Sequence, residues 1–488
     1  MAALFLLPVF HITASAAPYV PDDTAQQCAA PGDVLSIEQA LRWAALRPTR
    51  TALRSQLYAE LAQLDVVADR PFVPRVSLYA QTLKTQASGT FGMDSEGARW
   101  LTTTYTAQAG VRTSWQGPIG TRLDLDVANS RQQIQPSTFA ITNQPQVTLT
   151  LSQPLLKGAG LRVATAAQRQ AQRARQVAYL QYAVNLADDS VAVANGYVQA
   201  LSAQQQLIVA EDALKAARNV RDAMEHYLAA GVRPAADLRR AQLSVSQSET
   251  SLNSARALHQ TAMLTLAPLV GCPLGREWRL QSPRVNLARQ DATLRTDNDR
   301  DLPEIIIRRV ALEDAELAQD VALNATKPDL SVLAGYSRVQ GVGPSVNWSV
   351  GLSLNLPLND YEAHANLTAS RYRVRQAQSD LEQARAQASV QLQSAALSVG
   401  SAQRQLLLAR EQLRFATQVL EDEDARLRAG RSTLLEWQTA LSTRATSQVA
   451  LEQAEADVYL AQLGLWRARG TLLQELGVDV PVQDSDAL

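Results

Sequence analysis

The chain has 488 residues with 46 basic and 47 acidic side chains, a balance that excludes a nucleic-acid binder relying on a basic face. Charged residues are 19% and hydrophobic residues 46%, which excludes a disordered or collagen-like chain. Two cysteines, Cys28 and Cys272, and four scattered histidines exclude a disulfide scaffold and a Cys-rich zinc protein.

Residues 2–10 form a short apolar run, followed by the small-residue cleavage pattern Ala14-Ser15-Ala16. Residues 1–16 therefore read as a secretory signal peptide lacking a basic n-region, with a buried N-terminal segment as the alternative. Cys28 follows Ala25-Gln26-Gln27, too polar a lead for lipid attachment. Beyond residue 10 no stretch approaches 18 apolar residues, so no transmembrane helix is expected. A secreted chain without such a helix can still span a membrane as a closed β-barrel.

After residues 17–50 a short helix is expected over 51–70, closed by Pro71 and Pro74. Alternating strands follow within 73–155. Tyr105, Ala107, Ala109, Val111 and Trp115 oppose Thr106, Gln108, Arg112 and Ser114, and Leu123, Leu125 and Val127 oppose Arg122, Asp124 and Asp126. Roughly ten residues of such alternation is the signature of a transmembrane barrel strand, though a soluble sandwich alternates in the same way. Gly117-Pro118-Ile119-Gly120 predicts a tight turn, and the connections at 86–103 and 132–145 read as long polar loops. Gly158-Ala159-Gly160 sits between strand and helix. With Val163 where a dinucleotide fingerprint needs glycine, it reads as a structural junction and not a phosphate loop.

From Leu161 to Leu228 there is no proline, and Ala, Gln, Leu and Arg dominate, so one helix of about 100 Å is expected. Asn195-Gly196 is its weakest point. The run ends at Tyr227-Leu-Ala-Ala-Gly231 and returns through Asp237, the whole unit covering 158–270, with a linker over 271–302. The pattern then repeats. A short helix spans 303–326, strands fall within 329–357 (Val346, Trp348, Val350, Leu352, Leu354 against Asn347, Ser349, Ser353), a long helix and its return cover 361–470, and a tail covers 471–488. The second tip reads Arg426-Leu-Arg428-Ala-Gly430-Arg431-Ser432-Thr-Leu-Leu-Glu436. Glycine at each helix end accepts a left-handed backbone cheaply. Asp237 and Glu436 each follow that glycine by six residues, where the helix dipole favours an acid. The protomer is thus an internal duplication.

The order, spacing and duplication of these motifs resemble the TolC-like outer membrane efflux protein family. They run from Leu35-Ser-Ile-Glu-Gln-Ala-Leu41 through Ser152-Gln-Pro-Leu-Leu156, Ala230-Gly231-Val232-Arg233 and Arg428-Ala-Gly-Arg-Ser-Thr-Leu434 to Leu451-Glu-Gln-Ala-Glu-Ala-Asp-Val-Tyr459. The resemblance implies a membrane α+β fold: a trimeric outer-membrane β-barrel continued by a long periplasmic α-helical barrel. It also implies a Gram-negative outer-membrane location in contact with lipid, a periplasmic adaptor, an inner-membrane RND or ABC transporter, and neither enzyme activity nor a cofactor. Adaptor contact would fall on the tips, at Gly231, Val232, Arg233, Arg428, Gly430 and Ser432. Gate or pore roles would fall on Asp237, Glu436, Arg431 and Thr439. Thr439 stands where a second acidic ring would be, and Leu427 and Ser432 stand where family gates place an aromatic and a basic partner, so a different closed-state network is expected. Asp237 and Glu436 also read simply as helix N-terminal charges, and Glu421-Asp-Glu-Asp424 as a solvated face. Members carry four strands per protomer. The extra hairpin here implies six and an eighteen-stranded trimer, or else a hairpin projecting beyond a twelve-stranded one. The open alternatives are a type I protein-secretion duct and a non-membrane scaffold of long coiled coils, which would show sustained heptads and no alternating strands.

Overall fold

The computed structural model describes residues 34–46, 48–69, 72–91, 98–135, 142–231, 234–275, 278–283, 302–341, 344–429 and 431–478. The signal-peptide segment, Cys28, Val232, Arg233 and Gly430 lie outside them, as does the side chain of Arg428.

In chain order the elements are β1 (Val34–Leu35), α1 (Ile37–Leu46), α2 (Pro48–Asp69), β2 (Arg75–Phe91), β3 (Ala98–Gln116), β4 (Arg122–Gln135) and β5 (Thr142–Pro154). Then come α3 (Leu161–Ala164), α4 (Ala166–Ala229), α5 (Ala235–Val270), β6 (Arg279–Leu280) and α6 (Pro303–Ala325). The chain closes with β7 (Asp329–Val339), β8 (Ser345–Asn355), α7 (Tyr361–Arg428), α8 (Leu434–Arg469) and α9 (Leu472–Glu475). Among the described residues no helix is long and apolar enough to cross a membrane.

The duplication is present in the lengths: α5 and α8 are both 36 residues, and α4 and α7 are 64 and 68. At 1.5 Å per residue the two long helices run about 95 to 100 Å. The expected single helix from Leu161 is instead broken at Thr165, whose hydroxyl bonds the Leu161 carbonyl at 2.6 Å and closes the first turn on itself. Each long helix is flanked by two shorter ones, α2 and α5 along α4, and α6 and α8 along α7, while α4 also meets α6 and α8. At every level the protomer is therefore four helices abreast.

The main core sits midway along α4, where the shorter helices meet end to end. It joins α1, α4, α5, α8, α9 and the parallel β1–β6 pair around Tyr197, Leu201, Leu266 and Leu463. The Tyr197 hydroxyl is buried 2.6 Å from the Leu35 carbonyl and accepts the Gln281 N–H at 3.0 Å. Burial raises its pKa well above the ordinary tyrosine value, so it stays a neutral hydrogen-bonding pin. Arg467, in the last turn of α8, bonds Asp188 of α4 at 2.8 Å and Glu304 of α6 at 2.7 Å. The left-handed Gly271 and Gly470 end the two returning helices at this level. Gly196 is not a weak point: it is buried in α4, and a Cβ there would lie 2.5 Å from Leu269 Cδ1. The glycine lets α5 approach closely.

Six strands form one antiparallel sheet in the order β2-β3-β4-β5-β7-β8, so the scaffold without alternating strands does not describe this chain. The loops expected at 86–103 and 132–145 are shorter than read from sequence. Strand pairing continues to Phe91↔Ala98 and Gln132↔Thr142, because the neighbouring strands offer these polar segments backbone partners that a loop would lack. Cys272 is disulfide-bonded, and Cys28, the other cysteine of the chain, lies outside the described residues.

Candidate pore wall and channel tips

Register sorts the sheet into two faces. One row of facing residues runs Val76↔Thr113↔Leu125↔Leu149↔Tyr336↔Trp348 across all six strands. On the same face, the row two residues away on one side carries Leu78, Val111, Val127, Val147, Arg338 and Val346, and the row on the other side carries Trp115, Leu123, Leu151, Ala334 and Val350. This face is apolar and open to its surroundings: Trp348 exposes 79% and Leu352 73%. Water does not favour a continuous apolar band of this size, whereas hydrocarbon does. Lys84 Nζ lies 5.5 Å from the Tyr105 ring centroid on the same face.

The opposite face is polar and cross-linked. Arg112 and Asp126 oppose each other and pair through Nε and Oδ2 at 2.9 Å. The Tyr79 hydroxyl donates to Asp126 Oδ1 at 2.8 Å and accepts from Gln108 Nε2 at 3.1 Å, and Gln81 donates to Gln108 at 2.8 Å. The guanidinium of Arg112 also stacks 5.0 Å over Tyr79. A face of paired charges and amides of this kind lines water.

At the end of the sheet nearest the helices, Gly117-Pro118-Ile119-Gly120 forms the tight turn expected from sequence, with Gly120 at φ +92° and its N–H bonded to the Gly117 carbonyl at 3.1 Å. The junction at 158–160 is structural, with Gly158 and Gly160 at φ +78° and +95°. Asn324, buried at the end of α6, accepts the Gly158 N–H at 2.6 Å and donates to the Leu156 carbonyl at 3.3 Å. It thereby ties the two repeats together where strands become helices, a contact the sequence reading did not find.

At the far end, α4 turns into α5 through Gly231 at φ +72°. Asp237, in the first turn of α5, lies 3.6 Å from Arg240 Nη1. The second tip is more tightly bonded. Thr433 and Glu436 form a capping box: the Thr433 N–H donates to Glu436 Oε2 at 2.7 Å, and the Glu436 N–H donates to Thr433 Oγ1 at 3.3 Å. Ser432 is buried, its hydroxyl 2.6 Å from Glu423 Oε2 and 3.0 Å from Glu436 Oε2. Glu423 also binds Arg426 at 2.9 Å. The acidic run 421–424 is thus not wholly solvated, because Glu423 turns inward to hold the tip. The Thr433 N–H, followed by the Thr433 and Ser432 hydroxyls, holds the Glu436 carboxyl below its ordinary pKa. Arg431 is exposed with its N–H on the Arg426 carbonyl, and Thr439 is exposed with its hydroxyl on the Leu435 carbonyl. The contact that fastens one hairpin to the other is chiefly apolar, beside a hydrogen bond from Gln438 Nε2 to Ser244 Oγ at 3.5 Å. Trp437 of α8 packs against the cluster formed by Val220 and Met224 of α4 and Ala241 of α5, which Leu238 of α5 also covers. Its signal in the sequence was an aromatic three residues before Ala440, on the buried side of an amphipathic turn.

Helix α7 is apolar on two sides. Leu381, Val399, Leu406, Ala409 and Ala416 face its neighbours within the chain. Tyr372, Val390, Leu397, Leu408, Phe415 and Val419 are exposed, and at 100° per residue they fall in one stripe about 40° wide. Steps of 18 residues (372, 390, 408 and 397, 415) equal five whole turns, so the stripe runs straight along the helix for roughly 70 Å. Among the described residues no group of three or more His, Cys, Asp or Glu could hold a metal.

Comparison with known proteins matches the chain over residues 96–272 and 297–471 to the model of a family described as outer membrane efflux protein. No curated protein matches. Among solved structures the chain is similar to the CmeC outer membrane channel of Campylobacter jejuni (14% identity, TM-score 0.68, covering 91% of this chain and 90% of that one). It is also similar to the outer membrane protein VceC of Vibrio cholerae (15%, 0.63, 89% and 96%) and to the open state of the MtrE outer membrane channel of Neisseria gonorrhoeae (15%, 0.61, 89% and 89%).

Proposed function

The chain belongs to the outer membrane efflux protein family, and from that premise we propose that it is the outer-membrane exit duct of a tripartite efflux system. It is a channel and not an enzyme. Three copies form the duct, with a barrel in the membrane and a helical tube in the periplasm. The tube tips meet a periplasmic adaptor and an inner-membrane pump of the RND or ABC class, which supplies the energy.

One observation carries the three-copy reading: both layers of the protomer are open, and their edges follow one another in the chain, α2 before β2 and β8 before α7. The sheet stops at β2 on one side and β8 on the other, and the helical layer stops at α2 and α5 on one side and α7 on the other. Each copy therefore offers one edge to a neighbour and receives the opposite edge, a head-to-tail contact that closes into a ring. The exposed α7 stripe gives that contact an apolar seam. In such a ring the face of Arg112, Asp126 and Tyr79 lines the bore and the face of Trp348 and Leu352 meets lipid.

Passive conduction needs only a wet wall and a closable end. The closable end is the pair of tips, 230–237 and 428–436, with Asp237, Arg431, Glu436 and Thr439 near the opening and Gly231, Val232, Arg233, Arg428, Gly430 and Ser432 meeting the adaptor. Opening is a movement of one hairpin against the other about Trp437. The test is outer-membrane fractionation, sizing of the detergent-extracted species and single-channel recording in planar bilayers. A trimer with an ohmic aqueous pore is expected. A soluble or monomeric species refutes the reading.

A further inference from the structure

The six-stranded sheet differs from the four strands per copy that the family resemblance implies, and its register says what the extra hairpin is for. The row that leaves β2 at Val76 stands one residue above the helix-side end of that strand, Arg75. The same row reaches β8 at Trp348, seven residues above its helix-side end, Asn355. Five strand-to-strand steps thus carry a stagger of six residues. At about 3.3 Å per residue along a strand and 4.8 Å between strands, that stagger tilts the strands by about 40° from the barrel axis, inside the range of transmembrane barrels.

Tilt sets girth. A strand inclined by about 40° occupies roughly 6.3 Å of circumference, so six occupy roughly 38 Å. Four helices abreast, at 9–10 Å between axes, occupy roughly 36–40 Å. The two layers of one copy therefore span the same arc. Four strands would span only about 25 Å at the same tilt, and the duct would narrow by a third where it enters the membrane. The apolar band supports the same conclusion: Val76 and Leu78 of β2 continue it, and Trp115 of β3 belongs to it, so the β2–β3 hairpin is wall and not a projection.

We propose that the membrane part closes with eighteen strands, β8 of each copy pairing with β2 of the next, so that barrel and helical tube share one bore about 36 Å across between backbones. This rests on the three-copy reading above. Strand directions allow it, since β2 and β8 run in opposite senses and six is even. Side-chain parity then leaves two registers, because apolar residues must face the same way on both strands. The stagger per copy is six or eight residues, which places Leu78 of one copy opposite Leu352 or Leu354 of the next. A duct of uniform bore has no bottleneck at the membrane, so the tips become the place where cargo size is selected.

Paired substitutions test the seam. Leu78→Cys with Leu352→Cys, and Leu78→Cys with Leu354→Cys, are oxidised in outer membranes and run on denaturing gels beside the parent chain, which keeps Cys28 and Cys272. One of the two pairs is expected to convert most of the protein to covalent trimers. Leu125→Cys with Leu352→Cys and Leu123→Cys with Leu354→Cys report the alternative, in which β4 is the edge and the barrel has twelve strands. A covalent trimer from either of these overturns the proposal. So does an extracted trimer that no β2–β8 pair crosslinks. Extraction as a monomer overturns the three-copy reading beneath it as well.

Discussion

The straight apolar stripe on α7 makes the sharpest quantitative test of assembly. Leu397 exposes 74% and Leu408 60% of its surface within one copy, so within the copy neither contributes much by burial. In a ring both would be covered. Full burial of a leucine contributes about 1.5–3 kcal/mol, so these two contribute roughly 2–4 kcal/mol per seam. Leu397→Asp with Leu408→Asp removes that gain and leaves two carboxylates to desolvate, at several kcal/mol each. The loss is roughly 10 kcal/mol per seam and occurs three times, against total stabilities of about 5–15 kcal/mol for ordinary domains. The doubly substituted chain should keep its helical circular dichroism and its core around Tyr197, yet extract as a monomer under conditions that preserve the parent trimer on size exclusion with light scattering. A stable trimer of the double variant would refute the argument that this face is a seam.

Three further outcomes follow from individual contacts. Trp437→Ala should cost about 2–4 kcal/mol at the junction of the hairpins and admit bulky outer-membrane-impermeant antibiotics, read as at least a fourfold fall in inhibitory concentration with the trimer intact. Unchanged sensitivity would show that Trp437 does not hold the tips. Asn324→Ala leaves the Gly158 N–H and the Leu156 carbonyl without their buried partner and should cost about 2–4 kcal/mol, lowering the midpoint of thermal unfolding, with a midpoint at the parent value counting against it. Glu436 is held below its ordinary pKa, so its contribution is fully present above the unfolded value near 4.5 and is lost as pH falls through the lower folded value. Amides in the first turn of α8 should accordingly exchange faster below about pH 4.5, Glu436→Gln should abolish that pH dependence, and Thr433→Ala should fray the same turn at all pH values, by about 1 kcal/mol.

Helices and strands were legible wherever local pattern sufficed. The alternation of β8 and the Gly117–Gly120 turn agree with periodicity and turn chemistry, since each depends on residues only a few positions apart. The reading failed where a distant partner overrides local preference. Trp100 to Thr103, expected as loop, extends as strand because β2 pairs with it along its length and β4 reaches Thr103. Gly196 is fixed by the approach of Leu269, and Glu423 turns inward because Ser432, nine residues on, offers it a hydroxyl. The tip acids follow from position, whereas the apolar clasp of Trp437 needs a cluster of three residues from two other helices.

The sequence by itself determined the duplication, the two helix lengths, the alternation of the strands and the family. All of these follow from periods of two, of 3.6 and of one repeat along a single chain. Only the tertiary structure decided that the surplus hairpin joins the sheet and how the strands are staggered. It alone showed that α7 keeps a second apolar face and that the hairpins meet through Trp437. Register and packing join residues tens to hundreds of positions apart, and their energies depend on which surfaces meet, a quantity that no local pattern encodes.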